Sequence, residues 1–514
     1  MVDDTGSVEA SEDVGKLTPA EEQFERWRQS IGLFLGPAVG AVLYLALAQT
    51  LHGPARILAS VLGWVVAWWV TEPVPIPITA LLGACLCVLL GVAPAKEVFA
   101  PFAEPTIFLF LGSFILAESM KVHRLDRRFA FTMLSPRWVG ASPGRILLVF
   151  GAITAILSMW ISNTATAAMM YPIGLGVISA LGFGIRGEGG PGRFATGMML
   201  MAAYAASVGG IGTPVGTPPN LIGVAMIEKF TGTKIPFFQW MLFAVPLLVV
   251  MYLALFGLLY LMHRPGSTRG ASGATWVREE LEALGPWSRG EKNTLAAFLV
   301  AVSLWVVPGF LALVWGSGAD ISKSFGERVP EAVAALAGAS LLFLLPVDWG
   351  RRKFTIGWRQ AVRIDWGTLL LFGGGLSLGN LMFKTGVAEA LGKGLLGISG
   401  VTSVWGITFA AIALAVVVSE ATSNTAAANM VIPVVISLAA ASGVDPVPPA
   451  IGATLGASWG FMLPVSTPPN AIVYGSGLVP VTRMIRAGFL FDIIGIGLLW
   501  AGLRVLLPLV GLAH

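Results

Sequence analysis

Two short polar strings occur twice in otherwise apolar sequence, and their side chains could bind ions. Ser162-Asn163-Thr164 returns as Ser423-Asn424-Thr425, 261 residues later. Thr217-Pro218-Pro219-Asn220 returns as Thr467-Pro468-Pro469-Asn470, 250 residues later. Hydroxyl and amide groups both donate and accept hydrogen bonds. Each Ser-Asn-Thr string runs into a helix-compatible stretch, from Ala165 and from Ala426. A helix start offers free N–H groups and partial positive charge, which suits an anion. The Pro-Pro strings do the opposite. Pro218 and Pro219 have no N–H, so the carbonyls of Pro214 and Val215 lose their i+4 partners; Pro468 and Pro469 do the same to Pro464 and Val465. Freed carbonyls beside hydroxyls are hard oxygen ligands, suited to a small hard cation such as Na⁺. Gly209, Gly210, Gly212 and Gly216 let the first break bend.

The surroundings of these strings are nearly free of charge. Residues 146–182, 206–227 and 456–475 hold no charged side chain, and 412–441 hold only Glu420. An anion bound among them would rely on helix ends, hydroxyls and co-bound cations, which gives a physical reason for cation coupling. Glu420, a lone intramembrane carboxylate, is a functional candidate by default, with a buried or helix-end-bonded carboxylate as the alternative. Small polar residues inside membrane helices also serve as interhelical glue. Recurrence of the whole set, in one order, in both halves weighs against that reading, and matched interruptions in two membrane halves point to a transporter's binding site.

The elements that must position these residues follow from composition. The chain has 514 residues, is 55% hydrophobic and only 12% charged, with mean hydropathy +0.79; a soluble domain carries roughly 25% charged residues. Apolar runs near 31–50, 55–72, 77–94, 104–120, 194–228, 238–262, 293–316, 329–346, 366–383, 446–475 and 483–508 are expected to span a bilayer. The stretches 144–182 and 402–441 each hold a Ser-Asn-Thr at mid-length. One continuous helix there would reach ~60 Å, so each is expected to be a re-entrant hairpin with the polar string at its tip; two full spans with a very tight turn are the alternative. With the N-terminus inside, twenty-three Lys and Arg fall on the cytoplasmic side and eight outside, with Arg504 in the last span. That bias favours eleven spans, with the first hairpin entering from the cytoplasm and the second from outside. The expected fold class is thus an all-α polytopic membrane protein: 11 transmembrane helices plus two re-entrant hairpins in inverted repeats. The expected units are a cytoplasmic tail (1–30), an extra first helix (31–54), a first repeat (55–262), a cytoplasmic linker (263–292) and a second repeat (293–508), leaving the C-terminus outside.

Other classes find little support. The net charge of +4 is explained by topology and implies no nucleic acid. Cys85 and Cys87 lie in an apolar run and read as two buried thiols. His52, His123, His263 and His514 lie outside the polar strings. No nucleophile–base pair, zinc-ligand spacing or phosphate-binding loop is visible, which argues against an enzyme or an ATP-driven pump.

The paired strings, together with Trp68-Trp69-Val70-Thr71-Glu72-Pro73-Val74-Pro75-Ile76-Pro77, resemble the divalent anion/sodium symporter family over about residues 30–508. The resemblance implies an elevator-type homodimer in a bacterial inner membrane, with a scaffold domain and a moving transport domain. It also implies one substrate flanked by two Na⁺ sites, with Na⁺ as coupling ion and no other cofactor. Carried onto this chain, the first Na⁺ site would use Ser158, Ser162, Asn163 and Gly216, and the second Ser419, Thr422, Asn424 and Ser466. The substrate would meet Ser162, Asn163, Thr164, Thr217 and Pro218 from the first half, and Ser423, Asn424, Thr425, Thr467 and Pro468 from the second. Asn163 and Gly216 are 53 residues apart, Asn424 and Ser466 only 42; the Gly-rich Gly187–Gly192 insertion accounts for the difference. If Gly212-Thr213-Pro214 is the true counterpart, the first site moves by one helical turn. The expected function is Na⁺-coupled import of a C4-dicarboxylate such as succinate, malate or fumarate. Alternatives are Na⁺-independent exchange, sulfate or citrate transport on the same fold, and, from another class, an anion channel.

Overall fold

The computed structural model describes residues 19–136, 138–139, 142–181, 192–264, 273–316 and 319–513. Helices dominate, and their starts follow local sequence. Helix α1 (Pro19–Ala46) lies against α2 (Pro54–Thr71). It opens at Pro19, a residue suited to the first helical position. It therefore begins inside the stretch expected to be a tail. Next come α3 (Ile76–Leu89), the short α4 (Ala95–Phe99), α5 (Pro105–Val122) and α6 (Leu125–Leu134). Proline stands at the first positions of α2, α3 and α5, where its missing N–H costs nothing.

The first Ser-Asn-Thr string joins α7 (Pro143–Ser158) to α8 (Asn163–Ala180). Two helices follow across the first Pro-Pro break, α9 (Arg193–Gly210) and α10 (Pro218–Thr231), and then α11 (Phe237–Met262). The linker region contains α12 (Gly273–Ala283), which packs on α6 and α8. The second half runs through α13 (Arg289–Trp315), α14 (Asp320–Arg328) and α15 (Glu331–Leu344). A two-strand antiparallel hairpin, β1 (Pro346–Asp348) with β2 (Lys353–Phe354), leads to α16 (Trp358–Ala361), α17 (Trp366–Thr385) and α18 (Val387–Ser399). The second Ser-Asn-Thr string joins α19 (Val404–Ala421) to α20 (Asn424–Ala441), and the second break separates α21 (Val447–Gly456) from α22 (Pro468–Tyr474). Helix α23 (Val481–Leu509) ends the fold.

Among the described residues, nine helices are long and apolar enough to cross a membrane. Two are α19 and α20, which flank the second Ser-Asn-Thr string, a stretch expected to be a re-entrant hairpin or two spans with a tight turn. The other seven coincide with expected spans. The remaining four expected spans are helices of 14 residues (α3 and α15) or the pairs broken at Pro-Pro. The short helices α6, α12 and α14 and the β-hairpin carry too little hydrophobicity to stand out as spans, and α18, with 13 residues, is too short. Cys87 is buried, but Cys85 is exposed, contrary to the expected pair of buried thiols; two residues apart on a helix point to opposite sides. Arg137, Arg186, Arg269 and most of the 187–192 insertion lie outside the described residues, as do Lys16 and His514.

Helix α9 is the axis of the packing: every side chain from Phe194 to Gly210 is buried. The Tyr204 hydroxyl donates to Phe461 O (2.7 Å), and the Thr196 hydroxyl donates to Leu478 O (2.9 Å), so α9 is tied to the second half. The halves also exchange partners. Helix α10 packs on α20, and α22 packs on α8, so each break helix lies against the tip helix of the opposite half.

Candidate functional site

Each tip is a helix start held by its own side chains. Ser162 is the N-cap of α8 and accepts from Ala165 N–H at 3.4 Å; Ser423 caps α20 and accepts from Ala426 N–H at 3.2 Å. Five residues back, the Ser158 hydroxyl donates to Asn163 Oδ1 at 2.8 Å, and the Ser419 hydroxyl donates to Asn424 Oδ1, also at 2.8 Å. The internal duplication therefore extends to hydrogen bonds. Ser419 alone has an additional neighbour, Ala457 O at 2.8 Å. The Thr422 hydroxyl is turned back to Val418 O at 2.8 Å, which leaves its lone pairs free.

The breaks match as closely. Thr217 and Thr467 are extended N-caps with φ/ψ of −146°/144° and −144°/146°, each followed by proline at the first helical position. Four residues into the motif sits a device that sequence spacing did not disclose. Asn220 Nδ2 donates to Gly210 O (2.9 Å) and Thr213 O (2.8 Å), while Asn470 Nδ2 donates to Gly460 O (3.2 Å) and Leu463 O (3.0 Å). Each asparagine thus clamps the carbonyls ten and seven residues before it and holds the break in one shape. The clamp also sets the register: Gly210 pairs with Gly460, Thr213 with Leu463, and therefore Gly216 with Ser466.

Tip and break meet closely in both halves. A Cβ on Gly210 would lie 2.4 Å from Asn163 Oδ1, and one on Gly216 would lie 2.5 Å from Gly210 O and 3.0 Å from Met159 O. The Gly210 and Met159 carbonyls therefore converge on Gly216, and Asn163 Oδ1 lies against Gly210. In the second half a Cβ on Gly460 would lie 3.3 Å from Ser419 O and 3.4 Å from Ser466 Cβ. Oxygen-only groupings of this kind suit a small hard cation.

The halves differ in charge at one position of the tips. Glu420 of the second half stands where the first half has Met159. Glu420 Oε1 accepts from the Phe461 (2.5 Å) and Met462 (2.8 Å) amides, and Oε2 accepts from the Ser466 hydroxyl at 2.6 Å. The carboxylate is thus bonded to the second break and orients Ser466. In the first half the main-chain oxygen of Met159 takes a bond from the Thr213 hydroxyl.

All four polar strings open onto one cavity of about 770 Å³. Ser162, Asn163, Thr164, Gly216, Thr217 and Pro218 line it from the first half, and Ser423, Asn424, Thr425, Ser466, Thr467 and Pro468 from the second. Ser158, Ser419 and Thr422 are buried behind this lining. Among the described residues no cluster of three or more His, Cys, Asp or Glu could hold a metal. Sequence reasoning missed the opposite wall: Phe114, Glu118 and Lys121 of α5, and Arg363 and Asp365 before α17. The only signal for Lys121 and Arg363 was their contribution to the topology count; Glu118 and Asp365 gave none.

A family model described as "Sodium:sulfate symporter transmembrane region" matches residues 27–508. A protein of Staphylococcus saprophyticus named sodium-dependent dicarboxylate transporter SdcS is 35% identical over 475 residues, covering 91% of this chain and 89% of the relative. Its Staphylococcus aureus MRSA252 namesake is 33% identical, covering 94% and 92%. Two solved structures share the fold at 14% identity: MtrF of Neisseria gonorrhoeae (TM-score 0.54, 90% of this chain and 97% of that one) and the YdaH transporter of Alcanivorax borkumensis (TM-score 0.52, 95% and 98%). With the duplicated tips and breaks on one cavity, these likenesses identify the chain as a member of the sodium:sulfate symporter family, the divalent anion/sodium symporters.

Proposed function

We propose that this protein is a Na⁺-coupled importer of C4-dicarboxylates, working by an elevator mechanism as a homodimer. The observation that carries the reading is the convergence of both tips and both breaks on one cavity, in a chain whose relatives are named sodium-dependent dicarboxylate transporters.

Charge arithmetic supports cation coupling. Three helices of 14 to 18 residues, α8, α10 and α20, begin at the cavity. At roughly half a charge each, they offer about +1.5 against the −2 of a dicarboxylate. No Lys or Arg lies on the tips or breaks to close the gap. Two Na⁺, one at Ser158, Ser162, Asn163 and Gly216 and one at Ser419, Thr422, Asn424 and Ser466, would match the dianion charge for charge without drawing on the partial charges of the helix ends. The hydroxyls and amides of the tips then orient the carboxylates, with Thr217-Pro218 and Thr467-Pro468 forming the walls between them. On this reading Na⁺ binds first and orders the tips, and substrate completes the charge balance.

The architecture that goes with this function is eleven spans with two re-entrant hairpins. The inverted repeats are 55–262 and 293–508, joined by the linker 263–292 and preceded by the tail and the extra helix. The setting is a bacterial inner membrane, N-terminus inside and C-terminus outside. Lys121 and Arg363 then mark the cytoplasmic face, and the cavity they line is open inward.

The test is labelled succinate uptake into proteoliposomes under an inward Na⁺ gradient against an equal K⁺ gradient. Uptake with Na⁺ alone, abolished by Asn163→Ala and by Asn424→Ala, is the expected result. Uptake with either cation, only after dicarboxylate is preloaded, would make the protein an exchanger; Na⁺-driven uptake surviving both substitutions would remove the site assignment. The family model's sulfate designation favours a second reading, and sulfate competing better than malate against labelled succinate would establish it.

A further inference from the structure

We propose that Arg363 and Lys121 form a cationic station at the cavity mouth that holds a substrate carboxylate when the cavity is open on their side, so that they set affinity on that membrane face alone. This rests on the transporter reading above. The two residues are the cations that line the cavity, and they come from elements remote from the tips. Lys121 is in the last turn of α5, and Arg363 lies between α16 and α17.

The neighbouring anions are already engaged. Asp365 is the N-cap of α17: its Oδ1 accepts from Thr368 N–H at 3.0 Å, and its Oδ2 accepts from the Thr368 hydroxyl at 2.6 Å. Glu118 lies 3.5 Å from Lys121 Nζ, one turn earlier on the same helix, a partly exposed contact of the weak kind. Arg363 is exposed and, among the described residues, has no ion pair. Its guanidinium is a ready bidentate partner for a carboxylate.

The rim that carries these cations is braced. His123 Nε2 lies 2.6 Å from Thr355 O, and Asn293 Nδ2 donates to Thr355 Oγ1 (2.9 Å) and Pro346 O (3.1 Å). The end of α5 is thereby pinned to the segment leading into α16, and the charges keep their places. Tips that carry substrate to the other membrane face leave this rim behind. The station therefore acts in one orientation and is absent in the other.

The experiment compares succinate KM in right-side-out and inside-out membrane vesicles at equal Na⁺, for the unaltered protein, Arg363→Gln, Lys121→Gln, the double variant and Arg363→Lys. The expected result for Arg363→Gln is a rise in KM of about tenfold on the face that bears these residues, expected to be cytoplasmic, and no change on the other; tenfold equals roughly 1.4 kcal/mol, the size of one full charge acting on a dianion across several ångströms of wet cavity. The double variant shifts further, and Arg363→Lys recovers most of the affinity. A KM unchanged on both faces, or shifted equally on both, overturns the proposal. If Arg363→Gln does not fold, the unaltered protein still decides: choline chloride must raise KM more on that face than on the other, and an equal effect overturns the station. Absence of Na⁺-driven succinate uptake by the unaltered protein overturns the functional reading beneath it, a result distinct from an unchanged KM.

Discussion

Replacing Asn470 by alanine tests whether the breaks are held in shape by their asparagines. The substitution removes one amide that serves two carbonyls, the buried Gly460 O and the partly buried Leu463 O. Each lost bond costs about 1 kcal/mol net, and each buried acceptor left without a donor about 1–3 kcal/mol. Water from the adjoining cavity can reach part of the break, so the low end applies, about 2–3 kcal/mol. That energy separates the closed break from open alternatives, and 2 kcal/mol lowers the closed population relative to open by about thirtyfold. Where the closed form is not in large excess before Na⁺ binds, a cation that binds only the closed break loses affinity by a factor approaching this one. The assay is the Na⁺ concentration giving half-maximal succinate uptake, with Na⁺-induced thermal stabilisation of the purified protein as a second readout. Asn220→Ala should behave alike, since its bonds to Gly210 O and Thr213 O are, if anything, shorter. Asn470→Asp should do no better than alanine: it keeps the size but brings a carboxylate oxygen to two carbonyls in place of a donor. A folded Asn470→Ala protein with Na⁺ dependence within twofold of the original would refute the clamp as the basis of cation binding.

Three further outcomes are expected. Glu420→Ala strips two amides and the Ser466 hydroxyl of their acceptor; it should raise the half-maximal Na⁺ concentration at least tenfold, whereas Glu420→Gln, which keeps one acceptor oxygen, should retain most of the affinity. Arg128 and Glu291 form a buried ion pair at 2.5 Å between α6 and α13; Arg128→Ala alone should cost about 3–5 kcal/mol, read as a loss of thermal stability, and a loss under 1 kcal/mol would contradict the buried-pair account. Burial at the end of α11 lowers the His263 pKa from 6.5 to about 4. The unfolded chain therefore binds a proton between pH 6.5 and 4 that the folded protein refuses, so stability is full above about pH 6.5 and declines as pH falls toward 4. His263→Asn should flatten that part of the thermal stability curve, and an unaltered slope would rule the histidine out as its source.

Much of the site was legible because duplication writes it twice. The strings at 162–164 and 217–220, and their echoes, named eleven residues that the structure gathers on one cavity. The clamp was hidden because Asn220 could be seen only as a polar residue after Pro-Pro; that its amide turns back ten residues depends on how the break curls. Lys121 and Arg363 were hidden for another reason. They come from elements with no polar signature, and only the packing of α5 and α16 brings them to the tips. Glu420 was ambiguous because its counterpart is Met159, so duplication offered no second copy. Short helices such as α6 and α12 escaped because hydropathy finds elements that face lipid, whereas these pack on other helices at the ends of spans.

The caps at the cavity are loose: 3.4 Å at Ser162, 3.2 Å at Ser423, 3.4 Å at Thr467, and no side-chain cap at Thr217. The opening turns of these helices are thus incompletely closed by the chain itself. Cargo that accepts hydrogen bonds from the same amides finishes what the sequence leaves unfinished, so loading is partly an act of folding. An unloaded protein would carry frayed, hydrated helix starts, costly to drag through the apolar middle of a bilayer; a loaded one would carry finished helices. Local backbone order could then serve as the checkpoint against slippage, and amide hydrogen exchange at Ala165 and Ala426 would read it directly, fast without cargo and slow with it.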